Sequence, residues 1–366
     1  MNRVLPWTLL RYLGMQFLIA VGTVLAGFMV IVFLFDFIET LRRFSAKGDL
    51  GIGSIIGMSL LKMPNLAEQT IPFATLFGAT WCFARLSRSS ELVVARASGL
   101  SAWQFLAPSI GLGIVGGALL VAIYNPVAAL MIRKEEALEA KYSGSRPSVF
   151  GISPTGLWLR QMNREGPAVI NAQRVRDQGA ALDGVTIVVA DTQDRFLGLI
   201  KAQGARLRDG YWELTGGEVR WAGRETTPEP IARFGTPLSR AQIEDSFVSP
   251  KTMSFWDLPR FIRLAEQAGF RATQHKLHFY TMLSTPLMLS AMILLAAVFA
   301  LRVQRGRGIG LLIVGAVLSG FVFYFAGNLT RALGLSGVVP VTLAAWAPAA
   351  AATLLGVAFL LHLEDG

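Results

Sequence analysis

Arg42 and Arg43, with Lys47 close behind, follow a run of 23 residues, Leu13 to Phe35, that carries no charge. Arg133 and Lys134 stand at the end of a second uncharged run, Ala97 to Ile132. Cations beside an apolar surface have two uses. They snorkel, laying the stem on the apolar surface while the head stays in water, or they capture an anion, since a guanidinium fork pairs bidentately with a phosphate. Spacing alone leaves both open, and Asp36 adds an acid to the same neighbourhood.

A second constellation occupies the segment from Arg85 to Ser101, with Arg88, Glu91, Leu92, Arg96 and Gly99. Ser89 or Ser90 can cap a short helix, and Glu91 in its first turn is favoured by the helix dipole. Leu92, Val93 and Ala95 supply an apolar face, and Gly99 ends the helix. A helix of this kind between two membrane spans either lies on the membrane surface or inserts into a partner. The aromatic residues Phe28, Phe33, Phe321 and Phe325 either face lipid or line a cavity for acyl chains. Small-xxx-small pairs, Gly113 with Gly117 and Gly315 with Ser319, mark close helix approach, within the bundle or at a moving boundary.

Several chemistries lack their residues. No Gly-x4-Gly-Lys-Ser/Thr loop is present, so this chain carries no ATP-hydrolysing motif. Gly306, Gly308 and Gly310 open a membrane run rather than following a strand, which points to helix packing. His-Glu-x-x-His and Gly-x-Ser-x-Gly are absent, and His275, His278 and His362 sit near membrane interfaces, where no metal role is expected. Acidic residues are nearly absent from the apolar runs, which argues against an ion-coupled relay. No enzyme, metal or resident cofactor is expected.

The elements that must position these residues are membrane spans. The chain is 53% hydrophobic and 16% charged, with a mean hydropathy of +0.49, too apolar for a soluble protein of 366 residues. Leu13–Phe35, Ala97–Ile132, Gly308–Thr330 and Ala332–Leu361 carry no Asp, Glu, Lys or Arg, and Leu277–Leu301 carries none either, with His278 its only histidine. Each is long enough for about 30 Å of hydrocarbon. Lys62, Pro64, Glu68 and Pro72 interrupt a sixth run, Leu50 to Ala84, which predicts an interfacial turn followed by a spanning helix from about Gln69 to Arg85. Three spans therefore precede, and three follow, a polar insert of about 140 residues. The first run is too long for a cleaved signal and is expected to be an uncleaved anchor.

Arg3, Arg11, Arg85, Arg88, Arg96, Arg302, Arg305 and Arg307 fall on one side, against Arg42, Arg43, Lys47 and Arg331 in the opposite short loops. Positive residues favour the cytoplasm, so both termini are expected there, with the insert outside. The net charge of +10 is no nucleic-acid signal: residues 133–275 hold 20 basic and 17 acidic residues, and the rest of the excess sits at membrane boundaries. Cys82 is the only cysteine, so an exported domain would have no disulfides.

Within the insert, Leu157–Leu159, Ala168–Val175, Val185–Ala190 and Phe196–Ile200 are β-prone runs, separated by turn residues such as Asp183-Gly184 and Gln203-Gly204. Arg208 to Trp221 forms two strands around Gly216-Gly217, entered through Asp209-Gly210. Short strands at this spacing predict an antiparallel sandwich or open barrel. From Ser254, a plausible N-cap, to Gln267 the period turns helical. Leu258, Phe261, Ile262 and Ala265 share one face, and Gly269 ends the helix. It is expected along the membrane surface. The organisation is thus residues 1–132 (spans one to three, coupling helix about 86–100), 133–253 (β-domain), 254–274 (amphipathic helix) and 275–366 (spans four to six).

Here a resemblance becomes specific. Glu91-Leu-Val-Val, with Ala97-Ser-Gly99 closing the same segment, is similar to the coupling helix of the LptF/LptG family, the permeases of lipopolysaccharide export. So are Gly156-Leu-Trp158, Pro286-Leu287, Gly320-Phe-Val-Phe-Tyr324, Pro340 and Pro348, and the last two spans are more similar to the LptG member. The resemblance implies an α-helical polytopic inner-membrane protein of six transmembrane helices, 3+3, with an inserted periplasmic β-jellyroll-like domain. It implies a heterodimer with LptF, two copies of the cytoplasmic ATPase LptB that bind the ATP and Mg, and LptC and the periplasmic LptA bridge. Arg42, Arg43, Lys47, Arg133 and Lys134 would then meet head-group phosphates, although Asp36 stands where some members carry another basic residue. Arg88, Glu91, Leu92, Arg96 and Gly99 would couple to the ATPase. Spans one and five would line lateral gates, and Phe28, Phe33, Phe321 and Phe325 an acyl cavity. Exposing a lipid of about 60 methylenes to water would cost on the order of 50 kcal/mol at ~0.8 kcal/mol each, so its chains must stay covered, in the cavity and then inside the β-domain. Two alternatives remain: a permease for another lipid or lipoprotein, and a non-transporting scaffold or receptor whose β-domain binds a ligand.

Overall fold

The computed structural model describes residues 7–45, 51–89, 91, 101–143, 150–153, 156–163, 166–191, 193, 195–222, 229–237, 249–302 and 309–364. The chain forms two units: a membrane unit of Met1–Glu139, Ser254–Trp256 and Lys276–Gly366, and a β unit of Ala140–Met253 and Asp257–His275.

Long helices build the membrane unit. They are α1 (Trp7–Ser45), α2 (Ile52–Arg88), α3 (Ala102–Leu119) and α4 (Asn125–Ser143), the last two joined through a π-helical turn, Leu120–Tyr124. After α5 (Leu258–Gln267), which belongs to the β unit, come α6 (Thr273–Arg302), α7 (Ile309–Leu335) and α8 (Val341–Glu364). Trp7–Phe44, Ala102–Tyr142, Thr273–Ala300, Val314–Leu335 and Val341–His362 are each apolar and long enough to cross a membrane. The sixth long helix corrects the expectation of an interfacial turn. α2 runs unbroken for 37 residues through Pro64 and Pro72, and the Tyr124 hydroxyl donates to the Pro64 carbonyl at 3.2 Å. The apolar run from Ala332 is divided, with α7 ending at Leu335 and α8 beginning at Val341.

α6 is the centre of the unit, with every residue from Ala291 to Ala297 no more than 5% exposed. A Cβ added at Gly117 on α3 would lie 2.5 Å from Pro286 Cα, and one at Gly113 would lie 2.7 Å from Ile293 Cδ1. Both glycines therefore let α3 close onto α6, which is internal packing. Gly315 on α7 faces the Phe299 ring of α6, and the Ser319 hydroxyl donates to its own helix at Ala316.

The β unit is a nine-stranded antiparallel sheet: β1 (Phe150–Ser153), β2 (Gly156–Asn163), β3 (Gly166–Arg176), β4 (Ala181–Ala190), β5 (Phe196–Arg208), β6 (Tyr211–Thr215), β7 (Glu218–Trp221), β8 (Glu229–Pro230) and β9 (Arg233–Gly235). β1 to β6 pair in sequence order and β9 follows β6, while β7 pairs with β5 and β8. An apolar row crosses five strands, Leu159 opposite Ile170, Ile170 opposite Ile187, Ile187 opposite Ile200 and Ile200 opposite Val219. Such cross-strand pairs are the unit of sheet stability.

Three turn expectations change. Asp183-Gly184 lies inside β4 and Gln203-Gly204 inside β5. Gly184, at φ +62, rotates the strand so that Leu182 on one side of it and Val185 on the other are both buried. Gly216-Gly217 does separate two strands, but these do not pair with each other. β6 lies along Gly204–Arg208 of β5 and β7 along Gly198–Lys201. The β4–β5 connection is organised by Asp191, whose Oδ1 accepts the N–H groups of Arg195 at 2.9 Å and Gln193 at 2.8 Å. The Arg195 backbone bond foremost holds the Asp191 carboxyl below the usual range.

α5 also departs from expectation. It begins at Leu258, with Asp257 rather than Ser254 at the N-cap position. Its apolar face is given to the sheet instead of a membrane surface: Ala265, Ala268 and Phe270 join the sheet's core, with Phe261 packed against it. Gly269 ends it at φ +94, with its N–H on the Glu266 carbonyl and the Phe270 N–H on the Ala265 carbonyl, the two bonds of a Schellman cap. The Ala268 carbonyl in turn accepts the Val175 N–H at 3.0 Å. A Cβ at Gly269 would sit 2.0 Å from the Val175 carbonyl oxygen. Gly269→Ala is therefore expected to destabilise the β unit by about 2–4 kcal/mol through backbone strain and overpacking, read as an earlier urea transition of the sheet signal in the full chain.

Candidate functional site

The C-terminal end of α1, the first half of α2 and α4 bring together the head-group candidates. Arg42 and Arg43 occupy the last turn of α1, with side chains 80% and 52% exposed. Each already has a carboxylate. Arg42 lies 3.1 Å from Glu39, and Arg43 lies 2.9 Å from Glu139 on α4 and 3.8 Å from Glu39. Arg133 and Lys134 are exposed on α4, which continues past Ile132 to Ser143. Lys47 lies outside the described residues.

Deeper in the same place is a triad that sequence spacing did not reveal. Lys62 of α2 reaches Glu135 of α4 at 3.2 Å and Asp36 of α1 at 4.0 Å. Side-chain exposures are 19% for Lys62, 17% for Asp36 and 2% for Glu135. One ammonium serves two carboxylates, and Asp36 Oδ2 is buried with no hydrogen-bond partner among the described residues. Glu135 Oε1 is held by the ion pair alone, outside hydrogen-bond geometry. Burial of a lone charge is costly and pairing offsets it. The acid at Asp36 is thus part of what keeps Lys62 inside the bundle. Glu135 follows directly on Arg133 and Lys134, and that was the one signal available; Lys62 reads in sequence only as a break in an apolar run.

At the opposite end of α1 and α2, Glu91 accepts a hydrogen bond from the Ser89 hydroxyl at 2.9 Å. Arg88, exposed, is the last residue of α2 itself. Leu92, Arg96 and Gly99, and with them the helix expected over 86–100, lie outside the described residues beyond Glu91. After that gap Ser101 starts α3 with a capping box, its side chain accepting the Gln104 N–H at 3.2 Å while Gln104 Oε1 accepts the Ser101 N–H.

The four aromatic candidates separate into two pairs. Phe28 meets Phe77 of α2 edge-on at 5.7 Å, and Phe33 stacks on Phe37 at 6.1 Å. Phe321 and Phe325 project from α7, 65% and 61% exposed. No ring contact joins the α1 pair to the α7 pair among the described residues. With Val314, Leu318, Val322 and Leu329 they give α7 an open apolar face, one that lipid or another protein must cover. No group of three or more metal-ligating side chains occurs among the described residues.

The sequence matches the family described as "Lipopolysaccharide export system permease LptF/LptG" over residues 11–362. Among characterised relatives, two are proteins named "Lipopolysaccharide export system permease protein LptG", from Escherichia coli strain K12 and from Escherichia coli O6:H1 strain CFT073. Each is 24% identical over 365 residues, covering 96% of this chain and 97% of the relative.

Proposed function

The chain belongs to the LptF/LptG family of lipopolysaccharide export permeases, and on that premise we propose that it is the LptG-type subunit of a transporter that takes lipopolysaccharide from the outer leaflet of the inner membrane and passes it to a periplasmic bridge. The observation that carries this is the pairing of a cationic collar at the end of α1 with long apolar helices and an inserted β unit. The collar meets phosphates, the open faces of α1 and α7 border the acyl chains, and the β unit receives them outside. Arg42 and Arg43 are exposed enough for an incoming phosphate to compete with Glu39 and Glu139. A guanidinium that exchanges a carboxylate for a phosphate keeps its charge paired throughout.

Energy comes from a partner ATPase in two copies, with LptF as the second permease. Cytoplasmic termini and a periplasmic β unit are the orientation that the distribution of basic residues favours. Movement enters through the segment around Glu91. Because Glu91 is bonded to Ser89 at the C-terminal cap of α2, a push on it reaches that helix. Glu91→Lys is expected to abolish copurification of the ATPase and lower lipopolysaccharide transfer by about 100-fold, the scale of roughly 3 kcal/mol for a charge reversed at a partner interface, while the β unit stays folded. Normal assembly and transfer with that substitution would remove the coupling role.

A further inference from the structure

The residues Ser254–Trp256 belong by their contacts to the membrane unit, although the chain on both sides of them belongs to the β unit. They are attached at the junction of α3 and α4, through the π-helical turn and Asn125, and at α6. Asn125, 3% exposed, uses both ends of its amide. Its Oδ1 accepts the Phe255 N–H at 2.8 Å, and its Nδ2 donates to Glu68 Oε1 of α2 at 3.1 Å. The Trp256 indole Nε1–H donates to the Ala122 carbonyl at 3.0 Å. The Phe255 ring stacks on Phe279 of α6 at 5.1 Å and meets Trp256 edge-on at 5.3 Å.

The sequence removes the ordinary α-helical donor there. In an α-helix the donor for the Ala122 carbonyl would be the N–H of residue 126, and that residue is Pro126. An unpartnered carbonyl inside a membrane span costs several kcal/mol. The indole of a residue more than a hundred positions away satisfies it. π-turns are rare and recur at functional places in helices.

We propose that the π-turn Leu120–Tyr124 with Asn125 is a receptor for Phe255-Trp256, and that this clasp makes Asn125 and Trp256 positioning residues through which spans two and three hold and move the chain returning from the β unit. The clasp itself stands on geometry alone; its part in transport rests on the function proposed above. Trp256 is 64% exposed, so the competing account is an interfacial aromatic anchor, a place that tyrosine fills as well as tryptophan.

The test uses the full chain in its complex, in lipid nanodiscs, as Trp256→Phe and Trp256→Tyr. Neither ring carries an N–H that reaches Ala122, and both keep the apolar contact. Hydrogen exchange of the peptide containing Phe255 is expected to rise about tenfold in both, as a hydrogen bond worth roughly one factor of ten is lost. ATP-driven lipopolysaccharide transfer is expected to fall about as far, with the ATPase rate within about twofold of the parent. Wild-type exchange and transfer in Trp256→Phe, which has no polar hydrogen to offer Ala122, would overturn the clasp. Faster exchange with unchanged transfer would overturn its mechanical part. If the unmodified complex moved no lipopolysaccharide, the export function would be wrong, and exchange would still decide whether the clasp exists.

Discussion

Lys62→Met is expected to destabilise the folded chain by about 3–5 kcal/mol, the usual cost of deleting one partner of a buried ion pair. The substitution keeps the side chain's length and apolar stem, so little packing is lost. What it removes is the ammonium that pairs with both Asp36 and Glu135, one 17% and the other 2% exposed. Two carboxylates would then face each other between α1, α2 and α4 without a cation. The effect should be read as loss of monodisperse protein in detergent and a Tm drop shared by all membrane helices. Adding Glu135→Gln to Lys62→Met should recover more than half of the loss, because the second substitution removes an unpaired charge, and residues in one ion network are coupled rather than additive. A single Lys62→Met with unchanged stability would show that the triad is not what holds these three helices.

Gly117→Val should have the next largest effect, about 3 kcal/mol from overpacking. Its Cβ would lie 2.5 Å from Pro286 Cα and 2.9 Å from Pro286 N. Both are backbone atoms, so relief requires α3 and α6 to move apart along the most buried helix of the unit. Gly116→Val is the internal control: a Cβ there meets nothing within 4 Å, and its loss of helix propensity is no larger. The two substitutions share their chemistry and differ only in the direction they face. Thermal unfolding of both in the same detergent should place Gly116→Val near the parent and Gly117→Val well below it. Equal effects would mean that glycine's role in this span is general flexibility rather than contact with α6.

The five uncharged runs were legible because a bilayer demands about twenty apolar residues and little else satisfies that demand. α2 was not, since Lys62, Glu68, Pro64 and Pro72 look like interruptions until the partners are known. Those partners, Glu135, Asn125 and Tyr124, lie 73, 57 and 60 positions away in sequence, beyond any local pattern. In the sheet, Gly184 and Gly204 imitate turns, although cross-strand neighbours carry β4 and β5 straight through them. The amphipathic face of α5 was visible from its period, but periodicity shows only that a face is buried, not what buries it. The same limit applies to the collar. The cations at Arg42, Arg43, Arg133 and Lys134 could be picked out by eye. Their balance against Glu39, Glu135 and Glu139 emerges only once α1 and α4 are side by side.

Under the function proposed above, that balance bears on how a head group would be held. A collar whose arginines are already paired releases a phosphate more readily than one that is bare, because the carboxylates stand ready to take the cations back. Transport needs such reversibility, since a head group bound too tightly would stay where it was captured. The wide exposure of Arg42 fits a contact that forms and breaks in water-rich surroundings, where ion pairs are worth about 0–1 kcal/mol each.

The most direct test is purification of the tagged chain from native membranes in mild detergent, with partners and bound lipid identified by mass spectrometry. The account predicts one sister six-span permease, an ATPase in two copies and lipopolysaccharide in the complex. A complex with the same ATPase stoichiometry and a different lipid would contradict the cargo. The chain alone, or with a soluble ligand and no ATPase, would contradict export altogether.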